Sequence, residues 1–96
     1  MNMHIKTTAK GCHVTVSIKI ENLTLLSLTD NAEGGVVLLP NITYRFEWFV
    51  FTAHDEAHAR IEAEVTPENE GFLPLDISKE YPAGVKDGNV FLFTLN

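Results

Sequence analysis

The chain is 96 residues long, with 45% hydrophobic residues and a formal net charge of −6 from 13 acidic and 7 basic residues. This length fits one domain able to bury about two-thirds of its unfolded surface, and the composition is that of a folded chain rather than a disordered one. Acidic balance and scattered lysines and arginines argue against nucleic acid or an anionic membrane surface as partner, because phosphate neutralisation needs clustered cations.

Cys12 is the single cysteine, so neither an intramolecular disulfide nor a multi-cysteine zinc site is expected. "MNMHIKTTAKGCHVTVSI" has no apolar run behind positive charge, as a secretory signal would. No run approaches the roughly 18 apolar residues of a membrane span. A cytoplasmic location is the default expectation.

Along the chain the hydrophobic period is two, not 3.6. The first ten residues already alternate. In "CHVTVSIKI", Cys12, Val14, Val16, Ile18 and Ile20 share one face and His13, Thr15, Ser17 and Lys19 the other, which predicts a half-buried strand. "NLTLLSLTD" continues the pattern, with a bulge or sheet change expected where Leu25-Leu26 interrupts it. "DNAEGG" reads as a loop, and "VVLL" as a short strand stopped by Pro40. "YRFEWFVFTA" and "ARIEAEVT" read as two strands, followed by the turn residues "PENEG". "FLPLDIS" is a weaker strand, "YPAGVKDG" a loop, and "NVFLFTL" the closing strand.

Seven or eight short strands without a helical stretch predict an all-β fold, a single antiparallel β-sandwich over residues 1–96. An immunoglobulin-like architecture is favoured over a small barrel on size and strand count. Trp48 fits a buried tryptophan, although the Cys…Trp…Cys pattern of antibody domains is absent.

Between two predicted strands stands "TAHDEAH", Thr52 to His58. Its DEAH letters would signal a helicase only beside a GxxxxGK[ST] phosphate loop, and Gly11, Gly34 and Gly35 begin none. A zincin needs H-E-x-x-H on a helix, whereas Asp55 follows His54 here. The reading adopted is a hairpin tip, with Val50 opposite Ile61 or Ala63 in an antiparallel pair. His54, Asp55, Glu56 and His58 have the chemistry to ligate a divalent ion, but a solvated loop is the simpler account. No metal and no cofactor is expected.

Nor do the residues suggest an enzyme. Ser17, Ser27 and Ser78 lie outside any G-x-S-x-G, and Cys12 falls on the apolar side of its strand. What stands out is an apolar set on faces that should be polar. Phe49 and Phe51 follow Arg45 and Glu47 on the outward side of their strand. If Phe91, Phe93 and Leu95 face the core, Val90 and Leu92 face away from it. With the strands beginning at Tyr44, Ala59 and Asn89 in one sheet, Phe49, Phe51, Val90 and Leu92 would form one patch, unless "FLPLDISKEYPAG" folds back to cover it. The expectation is a non-enzymatic interaction module acting through protein–protein contact or self-association, the alternative being a carbohydrate- or small-ligand-binding sandwich that stacks ligands on exposed aromatics, including Tyr81.

Overall fold

A computed structural model describes all 96 residues, Met1–Asn96. Eight strands make it up: β1 (Asn2–Lys10), β2 (Cys12–Ile20), β3 (Leu23–Thr29), β4 (Ala32–Val37), β5 (Thr43–Thr52), β6 (Ala57–Thr66), β7 (Leu75–Tyr81) and β8 (Lys86–Thr94). They form two four-stranded antiparallel sheets, in the orders β4-β1-β6-β7 and β3-β2-β5-β8. The all-β sandwich expected from the period-two alternation is therefore present. No helix of the structure is long and apolar enough to cross a membrane.

Strand order adds what alternation could not supply. An immunoglobulin constant domain sets strands ABED against CFG, with its first two strands neighbours in one sheet. Here β1 and β2 lie in opposite sheets. The same holds for β3 and β4, β5 and β6, and β7 and β8, so each successive pair arches over the core and gives one strand to each sheet.

This overturns the hairpin expected at "TAHDEAH". β5 pairs with β2 and β8, β6 pairs with β1 and β7, and Val50 lies opposite Val14 and Asp87 rather than Ile61 or Ala63. Two strands with matching apolar alternation can meet edge to edge in a hairpin or face to face across a core, and the pattern is the same in both cases.

One other expectation changes and one holds. "DNAEGG" is not wholly a loop, because β4 begins at Ala32 and runs through Gly34-Gly35, paired with His4 and Ile5. The extra residue at Leu25 is a bulge as expected: Ile18 pairs with Leu26 and Lys19 with Thr24, leaving Leu25 unpaired.

The four arches stand in a row at one end of the sandwich and are bonded to one another. Asn31, between β3 and β4, accepts from the Ala9 amide and donates to the Ala9 carbonyl at 3.0 and 3.2 Å. Gly11, at φ +69° between β1 and β2, accepts from the amides of Ala53 and His54, both at 3.3 Å. Asp55 accepts from the Ala83 amide at 3.1 Å. Thr52, 1% exposed, donates through Oγ1 to the Pro82 carbonyl and accepts from the Val85 amide, both at 2.8 Å.

The core lies between the sheets, filled from the second by Val14, Val16, Ile18, Tyr44, Phe46, Trp48 and Val50 and from the first by Met3, Ile5, Ile61 and small alanines. Phe46, Phe72, Phe91 and Phe93 form an aromatic cluster with ring centroids 4.9 to 6.5 Å apart. At the other end of the sandwich, Asn69 accepts from the amides of Gly71 and Asn96 and donates to the Asn96 carbonyl, fastening the β6–β7 connection to the C-terminal residues.

Thr52→Val keeps the shape and removes the acceptor of a buried amide. It is expected to cost about 1–3 kcal/mol in urea unfolding. Gly71→Ala is expected to lower the unfolding midpoint more than Gly84→Ala. A Cβ on Gly71 would stand 2.0 Å from the Thr94 carbonyl oxygen, whereas one on Gly84 meets nothing within 4 Å.

Candidate functional site

The outward face of the second sheet carries the residues singled out from sequence. In the β5–β8 ladder Arg45 lies opposite Leu92, Glu47 opposite Val90, Phe49 opposite Gly88 and Phe51 opposite Lys86. Phe49, Phe51, Val90 and Leu92 are 49%, 47%, 46% and 66% exposed. They form a stripe that starts on β5 and steps across to β8, its ends about 20 Å apart at the strand rise.

β6, expected beside them, lies instead in the other sheet. The patch therefore rests on two strands rather than three. "FLPLDISKEYPAG" does not cover it, because Leu75–Tyr81 pairs with β6 at the far edge of the first sheet.

The two phenylalanines differ in what they touch. The Phe49 ring lies across Gly88, where a Cβ would stand 2.5 Å from Phe49 Cδ1 and 2.6 Å from the Trp48 carbonyl oxygen. Part of Phe49 is thus packing that shields backbone a glycine leaves bare. Phe51 has Lys86 Nζ 5.7 Å from its ring centroid. With His13, Thr15 and Asp87 these residues line a shallow hollow of about 250 Å³.

Charge on this face is mixed. Lys19, Arg45 and Lys86 point outward from its strands beside Glu47. Glu21 lines a hollow with Arg45 and Leu92, Asp87 lines the one with Lys86 and Phe51, and Asp30 lies 3.4 Å from the outward-facing His13. Glu47 lies 3.0 Å from Lys19 Nζ and 2.8 Å from Arg45 Nε, the latter too bent for a hydrogen bond. Arg45 Nη2 also donates to the Glu21 carbonyl at 3.2 Å. The opposite outer face has Glu33, Glu62, Glu64, Asp76 and Glu80 against Lys6, Lys10 and Arg60.

The free edge of β8, beside the stripe, is closed to strand addition. Asp87 and Asn89 take the amides of Gly88 and Val90 onto their own side-chain oxygens, at 2.8 and 2.9 Å. Gly71 packs against the Thr94 carbonyl at the far end. An edge managed in this way presents no continuous ladder to another strand.

The remaining candidates separate. Tyr81 is 8% exposed and donates to Asp87 at 2.7 Å, so it offers no stacking platform. His54 and Asp55 belong to the arch, Glu56 takes the left-handed φ of 59°, and His58 sits on β6 with Nε2 3.0 Å from Ser78 Oγ. No three His, Cys, Asp or Glu side chains converge at metal-ligating distance. Cys12 Sγ lies 3.4 Å from the His58 carbonyl oxygen. Sequence reasoning missed the role of Gly88, which needs the register.

Where the sandwich opens between β7 and β8, Asp87 joins the two strands. The Tyr81 phenol, and after it the Gly88 amide and Lys79, hold its carboxyl below the ordinary 3.8, against the opposing effect of burial. Burial, and then the bond to Asp87, push the Tyr81 phenol up. A carboxyl lowered in the folded state stabilises fully above its unfolded value and loses that contribution as pH falls through the folded one. Asp87→Asn is therefore expected to flatten part of the stability loss below about pH 4, measured as unfolding midpoint against pH. Asp76, lowered by its bond to Arg60, supplies a further part in the same window.

Phe49→Ala is expected to cost about 1 kcal/mol more than Phe51→Ala in chemical unfolding, because only Phe49 covers a glycine. Neither a known protein family, nor a curated protein, nor a solved structure matches this chain.

Proposed function

We propose that this protein is a non-enzymatic interaction module whose contact surface is the outer face of the second sheet, centred on Phe49, Phe51, Val90 and Leu92. The observation that carries this reading is the stripe itself: four large apolar side chains, each close to half exposed or more, adjoin one another with no segment of the chain over them. Contiguous exposed apolar surface rimmed by polar groups is the ordinary signature of a contact site. The outer face of the first sheet has no counterpart, since Val37 is its one exposed large apolar side chain.

The test uses Phe51→Ser with Leu92→Ser, which spares Phe49 and its packing on Gly88. A bare stripe associates weakly with itself, so the wild-type sedimentation coefficient should rise with concentration and that of the variant should stay flat. The two should unfold within about 1 kcal/mol of each other, as surface substitutions do. A variant destabilised like a core truncation, beside a wild type already flat, would return the stripe to the fold and overturn the reading.

A further inference from the structure

We infer that β4 is an interface strand, pairing antiparallel with β4 of a second copy about a two-fold axis at Gly35. This edge lies in the other sheet from the stripe and works independently of it.

The edge strands of the sandwich are β4 and β7 in one sheet and β3 and β8 in the other. All but β4 carry a feature that resists a further strand. β8 folds the Gly88 and Val90 amides onto its own side chains. β3 has the bulge at Leu25. β7 turns Lys79, opposite the buried Ala59, inward over Trp48 and onto Asp87. β4 has none of these. Its ladder with β1 runs from Ala32 to Val37 without a register shift, it holds no proline, and its one charge, Glu33, is drawn back to His4 at 2.8 Å.

Ala32 bonds through its amide and carbonyl to Thr7 Oγ1, and Leu38 through its own to Met1. Both residues therefore turn their backbone toward β1, and by the alternation of an antiparallel ladder so do Gly34 and Val36. Glu33, Gly35 and Val37 hold their amides and carbonyls away from it, and all three are exposed. A row of donors and acceptors in extended backbone is satisfied by another extended strand.

Register selects a second copy as that strand. Rotation about Gly35 sets Gly35 opposite Gly35, Glu33 opposite Val37 and Val37 opposite Glu33, and each pairing exchanges both bonds. A shift of two residues either way leaves one outward residue of each copy without a β4 partner. The ladder cannot lengthen past Val37, because the Leu39 amide and carbonyl are bonded to the Tyr44 hydroxyl and Pro40 follows. Like charges are kept apart in this register, and the two-fold pairing closes on itself.

Side-chain volume fits the same register. Between the bonded pairs, Val36 of each copy falls opposite Gly34 of the other on the inner face. A Cβ on Gly34 would come within 3.1 Å of Leu28, and the bare glycine leaves room there for Val36 of the second copy. Leu25, Leu26, Ala32 and Val36, on β3 and β4, are only partly buried against the core. On the other open side of the sandwich, the bonds of Asp87 to Lys79 and Tyr81 close the gap. A second copy continues the apolar layer where no such closure exists.

The test is made in the Phe51→Ser, Leu92→Ser background, from which the stripe is removed. This chain should have the mass of a dimer at sedimentation equilibrium. Val37→Glu sets like charges opposite each other across the axis, whereas Val37→Lys sets opposite ones, so the first should dimerise about tenfold more weakly than the second. In hydrogen exchange the Glu33, Gly35 and Val37 amides should be protected in the dimer, in the wild-type chain as well, and exposed in the Val37→Glu variant. The Gly34 and Val36 amides should stay protected throughout.

A monomer mass with those three amides unprotected overturns the pairing and leaves the stripe reading as it stands. A dimer equally strong with Val37→Glu and Val37→Lys overturns the register, and the inference with it. Protection that appears only on adding a synthetic valine–threonine strand peptide assigns the edge to another partner and overturns the second copy.

Discussion

Everything in this fold depends on the bonding of one arch to the next. The pairs β1–β2, β3–β4, β5–β6 and β7–β8 are each split between the sheets, so within these pairs no ladder holds the two members together. What fixes them is the row of contacts from Asn31 to Ala9, Gly11 to Ala53 and His54, Asp55 to Ala83, and Thr52 to the 82–85 turn. A buried backbone group left without a partner costs about 1–3 kcal/mol, and arches leave several such groups where the chain changes layers. These side chains and the Gly11 carbonyl supply the partners. They also set the registers of β5 against β2 and β8, and with them the stripe on the outer face.

Fold class was legible because alternation reports burial directly. The strand "CHVTVSIKI" has the bounds expected of it, and the bulge at Leu25 falls where the alternation breaks. Topology was not legible, for the reason shown by Val50. Its apolar alternation with Ile61 and Ala63 suits a hairpin and an arch equally well, and the choice rests on backbone bonds made by Gly11 and Asp55 across more than 25 residues of sequence. The "TAHDEAH" letters are thus arch chemistry: a bonded amide, an acceptor carboxylate and a left-handed residue before the buried Ala57. Gly34-Gly35 misled for a related reason. Glycines favour loops in isolation, yet here a Cβ on Gly34 would come within 3.1 Å of Leu28, in the neighbouring sheet.

The surface was half legible. That Phe49, Phe51, Val90 and Leu92 point outward follows from their odd offsets from the inward-facing Trp48 and Phe91. That they adjoin one another required the β5–β8 register, and that Phe49 serves Gly88 required the atoms.

The division of each strand pair between two layers also bears on how the chain acquires its structure. Only β2–β3 and β6–β7 are hydrogen-bonded to their sequence neighbours, one hairpin in each sheet. Every other pairing joins strands distant in sequence, and loop closure must precede any reward from those contacts. The two local pairings thus lie one in each sheet, and each further pairing closes a long loop.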